Sequence, residues 1–150
     1  MTRLPALLDD IQRCQICSPH LPQGPRPVLQ AGAGVRILIA GQAPGRKVHA
    51  SGIPFDDASG DRLRDWLGVS PESFYDPACF AILPMGFCYP GSGHAGDLPP
   101  RPECAATWRQ ALLAELRTGS MAELSQVLER IRLLKGIRST ETSIHLATYR

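Results

Sequence analysis

No stretch of this chain approaches eighteen consecutive uncharged apolar residues, so nothing in it reads as a membrane-spanning helix. The N-terminal segment Met1 to Leu8 meets Asp9 and Asp10 too early to serve as a secretory signal. There is no internal repeat and no strong excess of either charge. The formal net charge of +2 neither requires nor excludes a nucleic-acid partner. Proline and cysteine are missing from one end only: all 14 prolines and all 5 cysteines lie at or before Cys104. From Arg117 onward six Lys/Arg face three Asp/Glu, whereas ten face eleven before it. Residues 1–116 and 117–150 therefore read as two different kinds of sequence.

What is present suits a folded domain. A chain of 150 residues with 43% apolar and 20% charged side chains is long enough to bury a core and too apolar to be disordered. Five cysteines without an export signal point to a reducing compartment, the cytoplasm, and to metal ligation or free thiols before disulfides.

Leu4, Leu7, Leu8 and Ile11 share a helical face, which predicts a short amphipathic helix over 4–13. Pro19, Pro22, Pro25 and Pro27 then exclude regular structure. The apolar run from Val35 to Ala40 predicts a buried strand, followed by a long Gly/Pro-punctuated loop over 41–60. Leu63, Trp66 and Leu67 mark a helix from about Gly60. Ser70-Pro71-Glu72 signals another helix start, with Ser as cap and Pro in the first turn. Phe80 to Met85 reads as a second buried strand, 88–103 as loop, and Trp108, Leu112, Leu113 and Leu116 as a helix. In the tail, Met121 to Leu134 predicts an amphipathic helix stopped by Gly136, and Ile137 to Thr148 a strand. Alternating strands and helices imply an α/β layered fold.

Four groups of residues are candidates for chemistry. Gly41-Gln42-Ala43-Pro44-Gly45 follows the first strand, where open α/β folds bind ligands, and Phe55 offers a stacking face within reach. Such a pair suits a flat polar ring such as a nucleobase, although an ordinary strand-to-helix turn also explains the loop. Cys14-x-x-Cys17, with Cys88 and Cys104 flanking the second loop, supplies four thiols for zinc or an iron–sulfur cluster, or four unligated cysteines. Cys79 beside Phe80 reads as a small buried hydrophobe. His49, inside the 41–60 loop, is a candidate proton donor or anion-binding group, while His20 reads as solvated or hydrogen-bonded and His94 as a flexible loop residue. Asp56 and Asp57 offer carboxylates for activating water, but a cap for the following helix is the simpler use of Asp57.

Gly41 to Gly45, Pro54-Phe55 nine residues on, and the cysteines at 14, 17, 88 and 104 together resemble the uracil-DNA glycosylase superfamily. The similarity is greatest to its iron–sulfur, thermostable type and covers about residues 10–116. It implies a three-layer α/β sheet with flanking helices, truncated at its C-terminal side. Gly41, Gln42 and Ala43 would then contact a flipped base and its attacking water, and Phe55 would stack on the base. Cys14, Cys17, Cys88 and Cys104 would hold a [4Fe–4S] cluster, with zinc or no metal as alternatives. The implied partner is DNA containing a damaged base.

The sequence departs from that pattern at several points. Ala43 stands where many members carry a water-activating aspartate, which the iron–sulfur type also lacks. Pro84 takes the place of an asparagine that reads the uracil edge. The second, His-Pro-Ser motif is absent, since His145 is followed by Leu146. The expected function is hydrolysis of the N-glycosidic bond of uracil or another damaged base, weak or lost for want of that motif. Residues 121–150 resemble instead the end of the ligand-binding domain of leucine-responsive (AsnC-type) regulators. That likeness implies a fused fragment capable of oligomerisation or ligand binding beside a metal-binding remnant.

Overall fold

Parallel strands β1 (Ile37–Gly41) and β2 (Phe80–Pro84) pair in register from Ile37 opposite Phe80 to Gly41 opposite Pro84. The computed structural model describes residues 3–116. The expected helix and strand after Gly119 lie outside the described residues. Before β1 comes α1 (Leu4–Gln12), with Pro5 in the first turn, where its missing N–H costs nothing. Between the strands run α2 (Arg46–Ser51), α3 (Ala58–Leu67) and α4 (Pro71–Phe74). After β2, a short hairpin of β3 (Ser92–Gly93) and β4 (Gly96–Asp97) leads to α5 (Pro102–Cys104). A π-helical turn over Ala105–Arg109 joins α5 to α6 (Gln110–Glu115).

β2 is flanked on both sides. One edge pairs with β1, and on the other Gln30 exchanges two backbone hydrogen bonds with Ile82, at 3.0 and 2.7 Å. The Val28 N–H donates to the Phe87 carbonyl at 2.7 Å, and Gln30 Nε2 donates to the carbonyls of Phe74 and Phe80. The Pro-rich segment is therefore pinned along β2 at its end rather than left free. All five residues of β2 are buried.

Side chains alternate across β2. Leu83 points into a core with Leu4, Ile11, Phe87 and Leu112, which packs α1 and α6 on that face. Phe80, on the other face, meets Phe74 of α4 with ring centroids 5.6 Å apart. Helices thus cover both faces of the sheet, giving the expected three-layer α/β arrangement.

Several local expectations need correction. β1 is not buried: it alternates half-buried and exposed residues, and Leu38 is 45% exposed. Among the described residues β1 has a strand partner on one side only, and an apolar run does not reveal that. The 41–60 segment is not one loop, because it contains α2 and the start of α3. Gly45 caps α2, and Gly52 ends it in a left-handed conformation, φ 74°. His49 therefore sits on a helix. The 88–103 segment contains the β3–β4 hairpin, with exposed His94 in its turn. On α3 the buried face is Gly60 and Arg64, whereas Trp66 is 72% exposed. Cys79 is only half-buried, with Sγ 3.5 Å from Asp76 Oδ2.

Leu112 is fully buried in the α1–α6 core, so Leu112→Ala is expected to lower stability by about 2–5 kcal/mol. Trp66→Ala is expected to stay within about 0.5 kcal/mol of the parent. Urea denaturation of the two variants checks both.

Candidate functional site

Parallel pairing brings the carboxyl ends of β1 and β2 to one edge, and a cleft of about 350 Å³ opens there. Its walls include all of Gly41 to Gly45, together with Pro54, Phe55, Asp57 and Pro84. Val28 and Ile82 form apolar floor, and Val48 of α2 faces in. The backbone continues the sheet pairing past β2: Met85 N–H donates to the Gly41 carbonyl at 2.9 Å, and Gly86 N–H to that of Gln42 at 3.0 Å. Those bonds hold the first two residues of the loop in place. Gly41 lies where an added Cβ would sit 3.8 Å from the Phe55 ring and 3.9 Å from Pro84. Gln42 is exposed on the cleft wall, and Pro84 lines the cleft without a side-chain hydrogen-bonding group.

Asp57 serves two purposes that its sequence context left as alternatives. Its carboxylate caps α3, accepting from the Gly60 N–H at 2.9 Å and from Ser59 Oγ at 2.5 Å, and it also lines the cleft. Burial alone would raise its pKa. The Ser59 hydroxyl, the backbone N–H groups of Gly60 and Ser59 and the Lys47 charge outweigh that effect and leave it below the ordinary aspartate value. Asp56, its neighbour, is exposed and not part of the cleft wall.

His49 is not among the residues lining the cleft. On a helix, Val48 and His49 point about 100° apart, and it is Val48 that faces inward. The His49 ring instead approaches Tyr89, centroids 5.9 Å apart, and its Nδ1 is buried without a hydrogen-bond partner. Beside the cleft, and sharing Gly45 and Asp57 with it, lies a polar groove of about 570 Å³. Arg46, Lys47 and Ser92 face that groove, and the Ser92 hydroxyl donates to Asp97 Oδ1 at 2.8 Å.

Cys14, Cys17, Cys88 and Cys104 line a single cavity on the α1–α6 side of the sheet. All are free thiols, and Cys79 is not with them. N–H donors converge on the sulfurs: Trp108 Nε1 donates to Cys14 Sγ, and the Phe87 N–H to Cys104 Sγ, each at 3.3 Å. Burial pushes the Cys88 and Cys104 thiols up to about 11. Cys17 is raised by burial and by Glu103, whose Oε2 lies 3.9 Å from its Sγ. Among the described residues no group of three or more His, Cys, Asp or Glu side chains is placed to hold a single metal ion. The structure thus gathers the four cysteines and the Gly41–Phe55 pair, but in two separate places. Sequence reasoning missed the N–H donors to sulfur, because that role has no local signature.

Among known families, the model of the uracil DNA glycosylase superfamily matches residues 30–132. The match takes in every cleft residue but Val28, together with Cys88 and Cys104. It begins after Cys14 and Cys17 and ends inside the tail.

The Asp57 cap makes a pH-dependent prediction. Asp57→Ala is expected to lose about 1 kcal/mol of stability at neutral pH. A carboxyl held below its unfolded value stabilises the fold above the ordinary aspartate range and loses that contribution as pH falls through its folded value. The gap between the urea midpoints of parent and variant should therefore close on acidification.

Proposed function

The chain belongs to the uracil-DNA glycosylase superfamily, and on that premise we propose that it hydrolyses the N-glycosidic bond of uracil or another damaged base in DNA, as a base-excision repair enzyme. The observation that carries the reading is the meeting of Gly41 to Gly45 with Phe55 in one cleft at the carboxyl edge of a parallel strand pair. A flipped base stacks on Phe55, and flipping costs a few kcal/mol that such contacts recover. Gly41 and Gln42 meet the polar edge of the base through backbone and amide groups. Ala43 leaves room for water at the sugar.

In the reaction, water adds to the anomeric carbon as the bond to the base nitrogen breaks. The base departs as an anion that takes up a proton. An ionised carboxylate with a lowered pKa is a poor base but a good counter-charge, so Asp57 stabilises the cationic sugar and orients the water. Among the described residues, the cleft offers the departing anion the loop and no histidine. Loss of one donor of that kind costs about 10²–10³ in rate, so slow turnover is the expected outcome. His49, whose ring lies against Tyr89 and outside the cleft lining, is given no part in this step.

Cys14, Cys17, Cys88 and Cys104 fit an iron–sulfur cluster. Four thiols share one cavity, and N–H groups point at two of the sulfurs. A [4Fe–4S] group bound there would act as a structural cross-link and supply the positive charge that buried thiolates require. The cysteines themselves would tie the end of α1 to the segment after β2 and to α5. Reduced thiols suit the cytoplasm. The division at residue 117, with a regulator-like tail that brings copies together, belongs to the same proposal.

Full-length protein, purified without oxygen, is expected to release uracil from single-stranded DNA above a no-enzyme control. Stacking on an aromatic ring contributes about 1–3 kcal/mol, so Phe55→Ala should weaken base binding about 5- to 150-fold. Absence of product would overturn the enzyme reading and leave a metal-binding module. The protein should be brown and contain iron, and Cys14→Ser should lose it; a colourless zinc protein rejects the cluster.

A further inference from the structure

Phe55 has φ 56° and is the one non-glycine among the described residues with a positive φ. Bulky side chains adopt that region rarely and only when their surroundings over-determine it. The surroundings here are specific. Arg64 Nη1 donates to the Phe55 carbonyl at 3.2 Å and to Tyr75 Oη at 2.9 Å. Tyr75 Oη in turn donates to the Pro54 carbonyl at 2.9 Å. Two consecutive carbonyls are thus held from α3 and from the end of α4, neither of which supplies Phe55 itself.

Arg64 is the buried charged residue of the described core, 9% exposed. Burying a guanidinium is unfavourable unless its donors are satisfied. Its ion pair with Asp61, at 2.7 Å, does not account for the burial, because the Asp61 side chain is 81% exposed and such pairs contribute little. What surrounds the cation is the aromatic group beneath the cleft. Its centre lies 5.2 Å from the Phe74 ring and 5.4 Å from the Tyr75 ring, and Phe74 meets the Phe55 ring edge-on at 6.2 Å. Gly60 completes the enclosure: a Cβ there would fall 1.7 Å from the Phe55 carbonyl oxygen, so the first turn of α3 lies directly against the strained peptide.

We infer that Arg64, acting with Tyr75, is a positioning residue that locks the Pro54-Phe55 backbone so that the Phe55 ring stands over the base cleft. The inference rests on the base-binding reading above. A guanidinium is suited to the task because its planar fork addresses Phe55, Tyr75 and Asp61 at once. A merely structural arginine would stabilise the fold without affecting what Phe55 recognises.

The test uses full-length protein carrying isotope-labelled phenylalanine, of which the chain has 4. A positive φ shows as a strong intraresidue amide-to-Hα Overhauser effect and a reduced one-bond Cα–Hα coupling. Tyr75→Phe removes only the hydroxyl, and Arg64→Lys keeps the charge but loses the fork. Binding is measured with a single-stranded oligonucleotide containing uracil and with the same strand carrying an abasic site. The parent should show the positive-φ signature at Phe55, and both variants should lose it. Their preference for the uracil strand should fall about tenfold, with abasic binding unchanged. Persistence of the signature in both variants, or its loss with the preference intact, overturns the inference. If Arg64→Lys does not fold, Tyr75→Phe decides alone. A parent indifferent to uracil would sink the base-binding reading, while the signature still judges the clamp.

Discussion

Parallel strands can be joined only by a crossover that carries the chain back to the starting end. In this protein the crossover between Ile37–Gly41 and Phe80–Pro84 contains α2, α3 and α4. The pairing therefore does more than form a sheet. It brings Gly41 and Pro84 side by side, so the loop leaving one strand and the segment leaving the other share an edge. The crossover leaves from that edge and ends at the opposite one, so its early residues, Phe55 and Asp57 among them, line the same cleft as Pro84 although far from it in sequence.

Alternation along β2 distributes the remaining roles. Ile82 and Pro84 face the cleft, while Leu83 faces the core built on Ile11, Phe87 and Leu112. The cysteine cavity borders that second core, with Ile11 and Phe87 among its walls. One buried strand thus separates the groups proposed to handle a base from those proposed to hold a cluster. A group bound among the cysteines would act on the cleft through the packing of β2 and not by direct contact.

The features legible in the sequence were those with a local chemical signature. Gly41 to Gly45 after an apolar run and the Ser70-Pro71 helix start use residue types chosen for backbone geometry, and the four cysteines singled out together do line one cavity. The strands at 37–41 and 80–84 were also found within a residue or two. α2 escaped notice because six residues with only Val48 buried make no apolar period. Trp66 drew attention to the wrong face of α3, since an arginine read from sequence belongs in solvent and Arg64 does not. Nor does a continuous apolar run distinguish a doubly flanked strand such as β2 from one like β1. That difference comes from Gln30, distant in sequence, bonding to Ile82.

The contact between Trp108 and Cys14 has an optical consequence. The chain has 2 tryptophans, and they occupy opposite environments: Trp66 is 72% exposed, and Trp108 donates its indole N–H to a sulfur of the cysteine cavity. Fluorescence from Trp66 reports bulk solvent and answers to dissolved quenchers. Fluorescence from Trp108 answers to the redox and ligation state of a neighbouring sulfur. The protein therefore carries its own reference and reporter chromophores, separable by quenching without any added label.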